Sequence, residues 1–139
     1  MNVMITGHRP ERLKGRENEV KKWINNQLDI LQPTLAINGM AQGVDQIFAK
    51  IAKDKGVPLL NVYPHRRKFH PYEEMLNENE NVVFFSDTYS KSNYILRDRY
   101  MVDNADIVLA VFDGIPAGGT WQTIEYAKQK NKKIIYFNW

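Results

Sequence analysis

The chain contains no cysteine, which excludes disulfide frameworks, thiol nucleophiles, iron–sulfur clusters and cysteine-based zinc sites. No apolar run approaches the roughly 20 residues that a membrane-spanning helix needs. The N-terminus lacks a signal-peptide pattern, so a soluble, cytoplasmic chain with no membrane partner is expected. Excess charge is scarce too, with 19 Lys and Arg against 16 Asp and Glu leaving +3. That balance suits a phosphate-bearing ligand and falls well short of a dedicated nucleic-acid binder. The three histidines, His8, His65 and His70, form no His-x-x-x-His or His-Glu pattern, so neither a metal nor another cofactor is expected. A Gly-Lys-Ser/Thr phosphate loop and a Gly-x-Ser-x-Gly elbow are both missing, which disfavours an ATPase and a serine hydrolase.

What is present is alternation. Short apolar runs, Val3-Met4-Ile5, Leu35-Ala36-Ile37, Leu59 to Val62, Val82 to Phe85, Ile107 to Phe112 and Ile134 to Phe137, are separated by segments of helical period. Val20, Trp23, Ile24, Leu28 and Leu31 mark one helix face, and Val44, Ile47, Phe48 and Ile51 another, ended by Gly56 and Pro58. Further helices are expected over residues 71–78, Ser92 to Asn104 and Thr120 to Lys130. The order βαβαβαβαβαβ predicts a single α/β domain over residues 1–139, a Rossmann-like, doubly wound and mostly parallel sheet of about six strands with helices on both faces. Ile107 to Phe112, the most apolar run, is expected at the centre.

Ligands of such sheets bind beyond the carboxyl ends of the strands, so the residues following each strand carry the functional reading. After the first come Gly7, His8 and Arg9, offering a tight turn, a polar ring and a cation. After the second, Gly39, Met40, Ala41 and Gly43 lead into a helix whose first turn holds Asp45, a candidate ribose-hydroxyl acceptor at a candidate phosphate cradle. After the fifth, Asp113 opens a loop that closes on Gly118, Gly119 and Thr120 at the next helix start. Arg97 and Arg99 lie about 200° apart on their helix at 100° per residue, so only one can face a ligand while the other pairs with Asp98 or Asp103. Replacing Arg97 by Ala is expected to weaken binding without lowering the melting temperature. His65 to Lys68 reads as a solvated basic loop, and Trp121, Tyr94 or Tyr100 are candidates to stack on a base.

Thr6 to Pro10, Gly39 to Asp45, Arg97 to Val102, and Ala105-Asp106 followed by Gly118-Gly119-Thr120 together resemble the SLOG superfamily of DprA-type and LOG-type Rossmann-like domains. Its small stand-alone bacterial and phage members are the most similar. The resemblance covers essentially the whole chain. It implies binding of nucleotides or nucleotide-derived molecules of the ADP-ribose or cyclic-nucleotide type, as a sensor or sequestering protein, and a homo-oligomer. Arg97 stands nine residues before Asp106, matching the LOG phosphoribohydrolases. Those enzymes and the nucleoside deoxyribosyltransferases carry a glutamate three residues after the motif threonine, where this chain has Thr123. A hydroxyl is a poor substitute for the carboxylate that an oxocarbenium-like centre needs, so binding without turnover is the leading expectation. The alternative is an N-ribohydrolase or ribosyltransferase using Asp45, Asp98 or Glu125. Single-stranded DNA binding ranks third.

Overall fold

Each apolar run becomes a strand because it is covered on both sides. The computed structural model describes residues 1–139. It contains β1 (Asn2–Gly7), β2 (Leu35–Asn38), β3 (Leu59–Tyr63), β4 (Asn81–Phe84), β5 (Ile107–Val111) and β6 (Lys133–Tyr136). The helices are α1 (Pro10–Leu13), α2 (Glu17–Leu31), α3 (Val44–Asp54), α4 (Pro71–Asn77), α5 (Ser92–Asn104) and α6 (Gly119–Gln129). All strands pair in parallel in one sheet of order β4-β3-β2-β1-β5-β6. No helix is long and apolar enough to cross a membrane.

The two-residue period of a strand sends neighbouring side chains to opposite faces. Val3 and Ile5 join Val20, Ile24, Leu28, Val44 and Phe48 in the larger core beneath α2 and α3. Met4, Ile37, Val62 and Val108 meet Met101, Val102, Ala105 and Ala127 in a smaller core beneath α5 and α6. Both layers bury their residues almost completely. The chain winds outward from β1 through β4, then α5 carries it across to β5 on the other side. This reversal opens a crevice beyond the carboxyl ends of β1 and β5, where a Rossmann-like sheet takes its ligand.

Two details differ from expectation. A sixth helix, the single turn α1, forms where Pro10 presets the first helical position. β5 is internal but second from the edge, and β1 and β2 hold the middle. Unbroken apolarity reports cover on both faces rather than a central place: Val108 faces the core beneath α5 and α6, and Ile107, Leu109 and Val111 face the larger core.

Candidate functional site

The glycines predicted at the site divide into two kinds. A Cβ on Gly7 would lie 2.6 Å from the Val44 side chain, and one on Gly43 (φ +98°) would lie 2.5 Å from the His8 carbonyl oxygen. These glycines let the loop after β1 lie directly against the start of α3. Val44 N–H, the first of that helix, donates to the same His8 oxygen at 3.2 Å. Gly39 makes room for a side chain, since its Cβ would sit 2.7 Å from Arg97 Nη1 and 3.1 Å from Asp45 Oδ2. The expected cradle at residues 39–45 is therefore largely filled by the protein itself. Met40 turns its side chain into the larger core, and Gly43 lies on the far side, in the groove with Pro10 and Lys21.

The start of α6 is different. Nothing lies within 4 Å of a Cβ on Gly119, and Gly118 (φ +91°) has only Arg12 Nη1 nearby, at 3.3 Å. No side chain caps the helix, and the N–H groups of Gly119, Thr120 and Trp121 have no partner in the chain. Free N–H donors at the positive end of a helix dipole attract an anion.

Across from them stands a charged cluster. Arg97, only 7% exposed, donates through Nε to Asp98 Oδ1 at 2.7 Å and through Nη1 to the carbonyls of Gly39 (2.8 Å) and Val62 (3.0 Å). Its Nη2 has no partner in the chain. Asp45 accepts from Ala41 N–H at 3.3 Å, and burial pushes its carboxyl up to about 6 against the opposing pull of Arg97. Burial raises Asp98 as well, and Thr123 Oγ1, which donates to the Gly119 carbonyl at 2.9 Å, lies 3.3 Å from its Oδ2. Arg9 is exposed and its side chain makes no hydrogen bond. Arg97 is thus the crevice-facing arginine and also the partner of Asp98. Arg99 instead lies over the Tyr126 ring at 5.2 Å. Glu125 lies apart from Asp45: it lines an outer groove between α5 and α6, which Asp98 also borders, and pairs with Lys128 at 3.2 Å.

His8 and Asp113 support the crevice from below. Asp113 N–H donates to His8 Nε2 at 3.0 Å, so that nitrogen is an acceptor and the ring is neutral, with its proton on Nδ1. The 3.4 Å approach of Nε2 to Asp113 Oδ1 is therefore not an ion pair. Burial, then Arg12, lowers the His8 pKa. Burial alone would raise Asp113, but the Ile115 N–H and Arg12 hold it below the usual range, with Arg12 Nη2 at 2.6 Å. Asp113 is thereby committed to the protein instead of lining the cavity.

Gly7, His8, Arg9, Ala41, Asp45, Arg97, Asp98, Gly119 and Thr120 surround one cavity of about 260 Å³. Sequence reasoning did not place Glu11, Arg12 or Met101 there; Met101 lies inside the Arg97 to Val102 motif, and Glu11 and Arg12 lie in none. Tyr94 also lines it, while Trp121 faces an outer groove between α5 and α6 and Tyr100 packs on the smaller core. No three His, Asp or Glu side chains gather anywhere in a group able to hold a metal ion.

No protein-family model and no curated protein matches the sequence. Solved structures do match in fold. DNA processing protein A from Helicobacter pylori, described as binding single-stranded DNA, superposes with a TM-score of 0.73 at 17% identity, over 98% of this chain and 64% of that one. TM1055 gives 0.66 at 19%, over 96% and 71%. The molybdenum cofactor carrier protein of Chlamydomonas reinhardtii gives 0.68 at 14%, over 97% and 74%. The chain thus spans about two thirds to three quarters of these structures. The likeness is one of fold, the Rossmann-like α/β fold that the sequence predicts.

Proposed function

We propose that the chain binds a nucleotide or nucleotide-derived small molecule, of the ADP-ribose or cyclic-nucleotide type, as a sensor or sequestering protein. The observation that carries this reading is the uncapped start of α6 facing Arg9 and the unpaired Nη2 of Arg97 across one cavity. Phosphate oxygens take the α6 N–H groups and Thr120, Arg9 adds a mobile cation at the mouth, and Asp45 accepts a ribose hydroxyl. Binding of a single strand is the weaker reading. Arg66 is paired with Asp87 and Arg67 with Glu73, so the basic run at residues 65–68 presents little free charge.

Asp98 keeps a second reading open, N-glycosidic cleavage of the same ligand class. Its carboxylate lines the cavity and lies 3.3 Å from the hydroxyl of Thr123, which stands where the glycosidic-bond enzymes that the motifs resemble have their acid. Both readings are tested by mixing the protein with AMP, cyclic AMP, NAD and ADP-ribose, separating by filtration, and chromatographing the filtrate and the retained fraction. Intact ligand recovered from the retained protein supports binding, and free base with a ribose phosphate supports cleavage. Arg9→Ala is expected to weaken retention about tenfold, the worth of one charge-assisted hydrogen bond. Its melting temperature is expected to stay unchanged, because Arg9 has no partner to lose. We further assign the expected self-association to the outer face of α5, where Ile95 and Leu96 are each 41% exposed. Sedimentation of wild type against Leu96→Glu reads it.

A further inference from the structure

Beside the phosphate crevice lies a second cavity of about 370 Å³, beyond the carboxyl ends of β2 and β3. The two share Arg9, Ala41, Tyr94 and Arg97, so a ligand can pass from one to the other over the Tyr94 ring. The far wall is fixed and electrically balanced. Arg67 grips Glu73 with both terminal nitrogens, at 2.9 and 2.6 Å, and Tyr63 Oη donates to the same carboxylate at 3.1 Å. The guanidinium also lies 5.0 Å from the Tyr63 ring. A second phosphate would find that cation already taken and a buried carboxylate behind it.

Aromatic rings share the remaining lining with the polar side chains of Gln42, Gln46 and His70. Tyr72 and Tyr94 line the cavity, and His65 meets Tyr89 and Tyr94 edge-on, with ring centroids 5.1 and 5.9 Å away. His65 Nδ1 is the one buried side-chain polar atom in the chain without a hydrogen-bond partner. Buried polar atoms are normally paired, and an exception at a cavity wall asks for an explanation. The exposed amide of Gln42 adds a donor and an acceptor that nothing in the chain uses.

We propose that this second cavity is the subsite for an uncharged planar heterocycle. The ligand then lies across Arg9 and Tyr94, with its phosphate on the start of α6 and a nucleobase among Tyr94, His65 and Tyr72. The proposal rests on the phosphate reading above and adds the other end of the molecule. Aromatic faces recognise any base, and Gln42 supplies the edge contacts that select among them.

The test measures binding of AMP and of ribose 5-phosphate by titration calorimetry to wild type, Tyr72→Ala, Tyr72→Phe and His65→Ala. Thermal melts establish that each variant is folded. Wild type is expected to bind AMP at least about tenfold more tightly than ribose 5-phosphate, the worth of one stacked base. Tyr72→Ala and His65→Ala, at residues that line the second cavity and not the first, should each erase most of that preference while leaving ribose 5-phosphate affinity as it was, and Tyr72→Phe should keep it. Equal affinity of wild type for the two probes overturns the base subsite and leaves the phosphate reading standing. So does a parallel loss of both affinities in the folded alanine variants. Binding of neither probe to wild type overturns both.

Discussion

Arg97→Ala removes more than a ligand contact. The guanidinium joins α5 to the ends of β2 and β3 through the carbonyls of Gly39 and Val62, and it faces both Asp98 and Asp45. Truncation leaves two buried carbonyls without donors and two carboxylates without their counter-charge. Hydrogen bonds to charged groups contribute about 1.5–3 kcal/mol each, and they do not add within one network. Breaking a buried ion pair by removing one partner costs about 3–5 kcal/mol, and that is the expected loss here. An unfolding entropy of about 2.1 cal/mol/K per residue, over a chain of 139 residues, converts this to a fall in Tm of roughly 10–17 °C. Circular dichroism melts of wild type, Arg97→Ala and Arg97→Lys at pH 7 measure it, with Lys keeping the charge and one donor and so falling between. A drop below roughly 3 °C would refute the reasoning, since water would then be serving both carbonyls. The expectation that this substitution spares stability is thereby corrected: affinity lost in Arg97→Ala mixes a lost contact with a loosened rim.

Three further outcomes follow from the geometry. Gly7→Ala drives a methyl group into Val44 and is expected to destabilise by about 1–3 kcal/mol, whereas Gly119→Ala meets open space and should leave the melt unchanged while weakening AMP binding. Unaltered binding in Gly119→Ala would remove the α6 start from the site. Asp45 titrates near 6 in the fold against an ordinary 3.8, so the folded state holds a proton that the unfolded chain has released. Its contribution to stability therefore falls as pH rises from about 4 to 6 and stays reduced above. Asp45→Asn should match wild type near pH 4 and exceed it by roughly 3 kcal/mol above pH 7, at 1.36 kcal/mol per pKa unit. A difference that does not change with pH, followed by denaturant melts, would count against this account.

Much of the fold is legible because parallel strands buried on both faces must be apolar without alternation, as Ile107 to Val111 are. The helices are legible where one face is buried, and α5 begins and ends at the residues its pattern predicts. The one-turn α1 escapes periodicity because four residues are too few to repeat. At the site, position after a strand picks out Arg9, Asp45, Gly119 and Thr120, and Arg97 is picked out on its helix; all five border the one cavity. It does not separate a glycine that a neighbour fills, such as Gly43, from one that stands open, such as Gly119, because the neighbour comes from a distant part of the chain. Asp113 fails as a cavity residue for the same reason, its partners being His8 and Arg12, about a hundred positions earlier. The cavity at His65 is hidden because the balance of Arg66 and Arg67 by acids is a fact of three dimensions.

The contacts of Arg97 with Gly39 and Val62 span 58 and 35 positions of chain. Neither mouth of the crevice exists until α5 has docked back over the first half of the sheet. Closing loops of that length costs chain entropy, so the crevice belongs to the assembled sheet and to no local segment of the chain. A molecule that binds there selects the finished fold alone and shifts the unfolding equilibrium by mass action, by about 2.7 kcal/mol at a hundred times its Kd. Over a chain of this length that is a rise of roughly 9 °C, so a plain melting curve can serve as the screen for the ligand.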